Sequence, residues 1–237
     1  MGHVDAPKKK STTSTVSQNV GDDAGRSPLP KGPHSLTREQ VAQSQRQRLI
    51  AAIATTVGRK GYSPTSVADV IAEAGVSRST FYQFFDDKEA AFSAAFEEYA
   101  QVVAHVMTSR LTELKNDASL TSLERVEQLL IMYIQLLSIS PETTRAFLVE
   151  SYAAGPTALK QREASLAQFE EIIMATEDEG DSLFGLDTDH VFATRFFVGA
   201  VSSLATSMVG TGNTEGLARL PEQLADLARA ISSGSRS

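Results

Sequence analysis

Residues 65–88, Thr-Ser-Val-Ala-Asp-Val-Ile-Ala-Glu-Ala-Gly-Val-Ser-Arg-Ser-Thr-Phe-Tyr-Gln-Phe-Phe-Asp-Asp-Lys, constrain this chain more than any other stretch. Ser63-Pro64-Thr65-Ser66 stops whatever precedes it and offers a hydroxyl N-cap to a short helix. Val67, Val70 and Ile71 give that helix an inward face. Gly75 supplies the positive φ of a tight turn at no steric cost, Val76 plugs the junction, and Ser77 caps a second short helix. Phe81, with Phe84 or Phe85 a turn later, anchors that helix in a core. Arg78, Ser79, Thr80 and Gln83 then face outward, small and polar around one guanidinium. A helix tip of that size and chemistry fits a DNA major groove.

The surrounding sequence keeps a helical period. Leu49, Ile50, Ile53, Ala54 and Val57 form one stripe of a helix predicted over 37–59, with Gly61 as its C-cap. Asp86 or Asp87 caps a long fourth helix running to about 115, with Phe92, Ala95, Phe96 and Tyr99 inward. Thr121–Glu124 is a capping box ahead of a fifth helix. Ser140-Pro141 opens a sixth that Gly155-Pro156 closes. Helices are predicted near 158–178, 188–209 and 217–232, with an acidic loop at 177–181. The expected fold is all-α with about nine helices. Residues 1–35, rich in Ser, Thr, Gly, Pro and Lys, read as a disordered arm. A DNA-binding domain is expected over 36–85, and a larger helical domain over 86–237.

Charge separates the two parts. Residues 1–88 carry 12 Lys and Arg against 8 Asp and Glu, while the remainder carries 10 against 21. Phosphate would be repelled by the acidic body, so DNA contact is expected only from the N-terminal part, with Lys8, Lys9 and Lys10 as candidate arm contacts. The chain has no cysteine, which removes disulfides and thiolate chemistry. No apolar run approaches the ~20 residues of a membrane span, and the first 35 residues lack a secretion signal, so no membrane partner and a cytoplasmic location are expected.

Gly61-Tyr62, Thr65-Ser66-Val67, Asp69-Val70-Ile71, Ala74-Gly75-Val76-Ser77, Thr80-Phe81-Tyr82, Phe85 and Lys88-Glu89 together resemble the DNA-binding domain of the tetracycline-repressor-type (TetR) family. Two departures stand out: Ile71 where the family usually has alanine, and Gln83-Phe84 where it often has His or Tyr. The resemblance implies a helix-turn-helix regulator, commonly a repressor, that binds a palindromic operator in double-stranded DNA as a homodimer. It implies phosphate contacts from Tyr82, Lys88 and Thr65 or Ser66, and Ser77 belongs to the same contact set. Arg46 and Arg48 would add backbone or minor-groove contacts.

The same resemblance implies that the last two helices pair across a two-fold axis and set the recognition helices roughly 34–36 Å apart. Phe197, Val201, Leu204, Met208, Leu224 and Leu227 are the candidate interface. It also implies a small-molecule effector in the body, lined by some of Tyr99, Met132, Tyr133, Phe147, Tyr152, Phe169, Met174, Phe192 and Phe196. These stripes carry little charge, so the effector is expected to be apolar or amphipathic. The four histidines show no metal spacing, and Gly210-Thr-Gly-Asn has no strand before it, so no catalytic residue, metal or cofactor is expected. Two alternatives stay open on the sequence: a DNA-binding regulator without an effector, and a helical enzyme or carrier.

Overall fold

A computed structural model describes residues 37–178, 183 and 189–234. The predicted arm at 1–35 and the middle of the acidic loop lie outside the described residues. Thr37 onward packs as one compact unit. Among the described residues there are nine α-helices: α1 (Arg38–Lys60), α2 (Val67–Ala74), α3 (Arg78–Phe84), α4 (Lys88–Lys115), α5 (Ser122–Ile139), α6 (Pro141–Leu148), α7 (Pro156–Met174), α8 (His190–Thr211) and α9 (Thr214–Gly234).

Most boundaries follow local rules. Thr37, Ser66 and Thr121 each form a full capping box, with Gln40, Asp69 and Glu124 as the reciprocating partners. Of the two candidate caps for α4, Asp87 is the one used, its carboxylate accepting from Ala90 N–H at 2.8 Å. Two helices are shorter than predicted. The sixth stops at Leu148, and a 3₁₀ turn over Glu150–Ala153 carries the chain to Gly155. That turn lets the Glu150 carboxylate accept from Tyr62 N–H at 3.0 Å and from Arg145 at 3.1 Å. The seventh stops at Met174, and the Thr176 carbonyl just beyond it accepts from Arg125 and Ser122 of α5.

Two apolar cores result. The first holds Leu49, Ile53 and Val57 of α1, Val70, Phe81 and Phe92, together with Phe147 reaching in from α6. Residues on both sides of position 85 share it. The second lies between α4, α5, α7, α8 and α9 around Met107, Val126, Leu129, Val201 and Leu220. Burying each such large side chain is worth about 1.5–3 kcal/mol, so both cores contribute substantially. The α1–α6 crossing is very close: a Cβ on Gly58 would stand 1.9 Å from the carbonyl oxygen of Glu142. One expectation is corrected here. By length and composition α8 is apolar enough to cross a bilayer, with a mean hydropathy of 1.3. In the fold Thr194, Val198, Val201, Ser202 and Ala205 of that helix pack inward.

Candidate nucleic-acid interface

The α2–turn–α3 unit follows the local chemistry closely. Gly75 takes the left-handed conformation at φ +61, and its N–H and that of Val76 return to the last turn of α2. Ser77 accepts from Thr80 N–H at 3.1 Å, and its hydroxyl lies 2.8 Å from those of Ser79 and Thr80. Phe81 is fully buried and Phe85 nearly so, their rings 5.8 Å apart. Helical geometry then leaves Arg78, Ser79, Tyr82 and Gln83 exposed, with Thr80 half-buried at their edge. The Arg78 guanidinium sits 5.5 Å from the Tyr82 ring centre, one turn on, and Tyr82 packs edge-on against Phe81. Ile71, at the position of the expected close crossing, is accommodated half-buried against the first core.

The expected phosphate contacts divide. Arg48 is exposed, lies beside the turn at Gly75, and has no ion-pair partner among the described residues. Arg46 is instead paired with Glu98 of α4 and lies over the Phe85 ring. Of the two hydroxyls at the start of α2, Ser66 is exposed. Thr65 is buried, and its hydroxyl donates to the Gly61 carbonyl at 2.7 Å, so it offers nothing to a phosphate. Lys88 also departs from expectation. Its ammonium donates to the carbonyls of Tyr62 at 2.8 Å and Thr65 at 2.9 Å, over the face of the Tyr62 ring. Burial pulls its pKa below the ordinary lysine value. Lys88 thus braces the loop behind α2 rather than reaching outward. Lys88→Ala is therefore expected to lower stability by about 1–3 kcal/mol, because two carbonyls lose their donor. It should leave the salt dependence of DNA binding unchanged; a reduced salt slope in a titration would place the ammonium on a phosphate after all.

Asp69 completes the corner. Its carboxylate pairs with Lys60 and accepts from Ser66 N–H at 2.9 Å and the Ser66 hydroxyl at 2.7 Å. The lysine first, and Ser66 after it, hold the Asp69 carboxyl well below the usual carboxylate range. Since the folded value lies below the unfolded one, about 3.9, the stabilisation is complete at neutral pH. It is lost as pH falls below about 4 and through the folded value. Asp69→Asn should therefore melt below the parent at pH 7, with the gap closing in acid; an equal gap at both would exclude this role.

Among the described residues the body holds two small, mostly apolar cavities of about 40 Å³ each, besides a wider groove of about 500 Å³ between α5 and α9. Tyr99, Tyr133, Phe147 and Phe169, four of the candidate effector residues, are among the residues that line the two cavities. Four other expected lining residues do not: Tyr152, Met174, Phe192 and Phe196 are exposed, the last two by 67% and 70%. Met132 packs half-buried against the second core outside either lining. Conversely Phe197 and Val201, expected at a dimer interface, line a cavity, because α8 turns that face inward. Of the other expected interface residues, Leu224 is buried and Met208 half-buried, while Leu204 and Leu227 are exposed. Sequence reading missed Arg162, Leu166 and Ser202, all of which line a cavity. A signal existed in the i, i+4, i+7 run of Arg162, Leu166 and Phe169, which places the arginine on the apolar face of α7.

Residues 49–95 match the family described as bacterial regulatory proteins, tetR family. No curated protein matches the sequence significantly. Several solved structures share the fold. FadR from Bacillus subtilis, solved in complex with stearoyl-CoA, is 18% identical over 78% of this chain and 98% of its own, with a TM-score of 0.67. The fatty acid degradation regulator FadR from Bacillus halodurans is 19% identical over 77% of this chain and 96% of its own, with a TM-score of 0.65. A gamma-butyrolactone receptor (ArpA-like protein) is 20% identical over 77% of this chain and 98% of its own, with a TM-score of 0.53.

Proposed function

We propose that this chain, whose residues 49–95 match the tetR family of bacterial regulatory proteins, is a homodimeric repressor released from its operator by an apolar or amphipathic effector. The observation that carries the DNA half is the outward set Arg78, Ser79, Tyr82 and Gln83 on a helix pinned by Phe81 and Phe85. Arg78 reads a guanine and Gln83 an adenine, the bidentate pairs that the major groove favours. Tyr82 and Arg48 supply phosphate contacts that set register without reading sequence, while Ser66 gives both its donors to Asp69. The domain limits expected from the sequence, 36–85 for DNA binding and 86–237 for the body, go with this reading. So do a cytoplasmic location and the absence of catalysis.

The apolar linings of the body support the effector half, as does a fold neighbour holding stearoyl-CoA. An effector would act by population shift, stabilising a body shape whose α4 and α6 carry the DNA-facing helices out of register. Selecting bound sites from random duplexes gives the operator. Titration of Arg78→Ala across single-base variants should then show about 1–3 kcal/mol of discrimination lost at one position per half-site. A uniform loss over all variants would refute the assignment. The tightness of the two cavities favours a second reading, control without an effector. It requires operator affinity to stay constant across a ligand library that includes long-chain amphiphiles.

A further inference from the structure

Arg162 is a charge buried without a counter-ion. It is 8% exposed, in the apolar face of α7. Its guanidinium donates to the hydroxyls of Ser202 at 2.8 Å and Thr206 at 3.0 Å, and at 3.5 Å to the Leu148 carbonyl. The Tyr152 ring lies 5.0 Å away. All these partners are neutral, and among the described residues no carboxylate lies within ion-pair distance of it. Buried arginines are ordinarily paired, because an uncompensated charge in an apolar wall is expensive. A second polar group faces the same cavity. The Tyr99 hydroxyl is shielded from solvent beside the Thr144 hydroxyl, which gives its own proton to the Leu137 carbonyl.

Arg162, Tyr99 and Ser202 line one cavity whose remaining wall is apolar apart from Ser165 and Tyr133, with Phe96, Val103 and Phe147 among its members. The second cavity, around Met107, Leu129 and Ile173, is apolar too. The two share Tyr133, Leu166, Phe169 and Ser202, and the edge-on pair Tyr133–Phe169, 5.4 Å between centres, stands between them. We infer that the body binds a free carboxylate with a long apolar tail, the carboxylate on the Arg162 guanidinium and the Tyr99 hydroxyl, the tail passing the parted Tyr133–Phe169 pair into the second cavity. This rests on the effector reading and narrows it. A carboxylate matches one guanidinium fork, whereas a polyanion would find no second cation in that lining.

The test is calorimetric binding of dodecanoate, dodecanol and dodecanoyl-CoA, all below their micelle concentrations, to the full chain and to Arg162→Met and Arg162→Lys. The parent should bind dodecanoate about tenfold or more tighter than dodecanol, the usual worth of a charge-assisted hydrogen bond. Arg162→Met should abolish that preference while keeping dodecanol affinity, and a cooperative melting transition shows that the variant is folded. Arg162→Lys should keep part of the preference. Equal binding of acid and alcohol, survival of the preference in Arg162→Met, tighter binding of the thioester, or no binding at all would each overturn the assignment. An Arg162-dependent preference that leaves operator affinity untouched would instead uphold this site and defeat the effector reading.

Discussion

Gly58→Ala is expected to melt below the parent protein by roughly 2–12 °C, corresponding to about 1–3 kcal/mol of overpacking. On an exposed helix the same change would stabilise by about 0.5–1 kcal/mol. The sign reverses because the added Cβ would lie 1.9 Å from the oxygen, 2.5 Å from the carbon and 2.8 Å from the Cα of Glu142. All three are backbone atoms, so no rotamer change relieves the clash, and α1 must separate from α6. That separation has a functional side. Phe147 of α6 packs in the core that supports α3, in ring contact with Phe92, Phe96 and Tyr99 of α4. Tyr99 also lines a body cavity, so this cluster joins cavity to DNA-facing core. Loosening it should blunt any effect of a ligand on operator affinity more than it weakens operator binding itself. A Gly58→Ala protein that melts at or above the parent temperature would show that the crossing is not tight.

The DNA-facing unit was legible because its determinants are local. A hydroxyl cap at Ser77, a left-handed glycine at position 75 and phenylalanines at 81 and 85 settle each other within ten residues, and the fold uses all of them. Where neighbours decide, the sequence was ambiguous. Thr65 and Ser66 are chemically alike, and only the carbonyl of Gly61 makes one a buried donor and the other a cap. Lys88 looked like a free cation; the two carbonyls that hold it belong to a loop more than twenty residues upstream. Helix α8 carries apolar residues almost all round, so its period does not reveal its phase, and Phe192 and Phe196 face outward where a cavity lining is expected. Arg162 was hidden among Lys160 and Glu163, a charge pattern that normally marks a solvated face.

On the homodimer proposed above, Phe196→Glu is expected to leave a monomer and to lower operator affinity by about a hundredfold or more. Phe192 and Phe196 are one turn apart on α8, exposed by 67% and 70%, with Leu204 at 41% further along and Leu227 of α9 at 58%. Single exposed hydrophobics are ordinary, but two phenylalanines stacked at i, i+4 make a patch that association removes from water. On the dimer reading each copy offers the same patch to the other, so one substitution introduces a charge from both sides at once. Losing the partner separates the half-sites, and the second recognition helix no longer binds at the effective concentration the first provides. Sedimentation equilibrium with a DNA titration reads both effects. Phe197→Ala is the internal control, since that side chain lines a cavity and should alter ligand response without changing the oligomeric state. A Phe196→Glu protein that remains dimeric and binds DNA normally would move the interface off this face of α8.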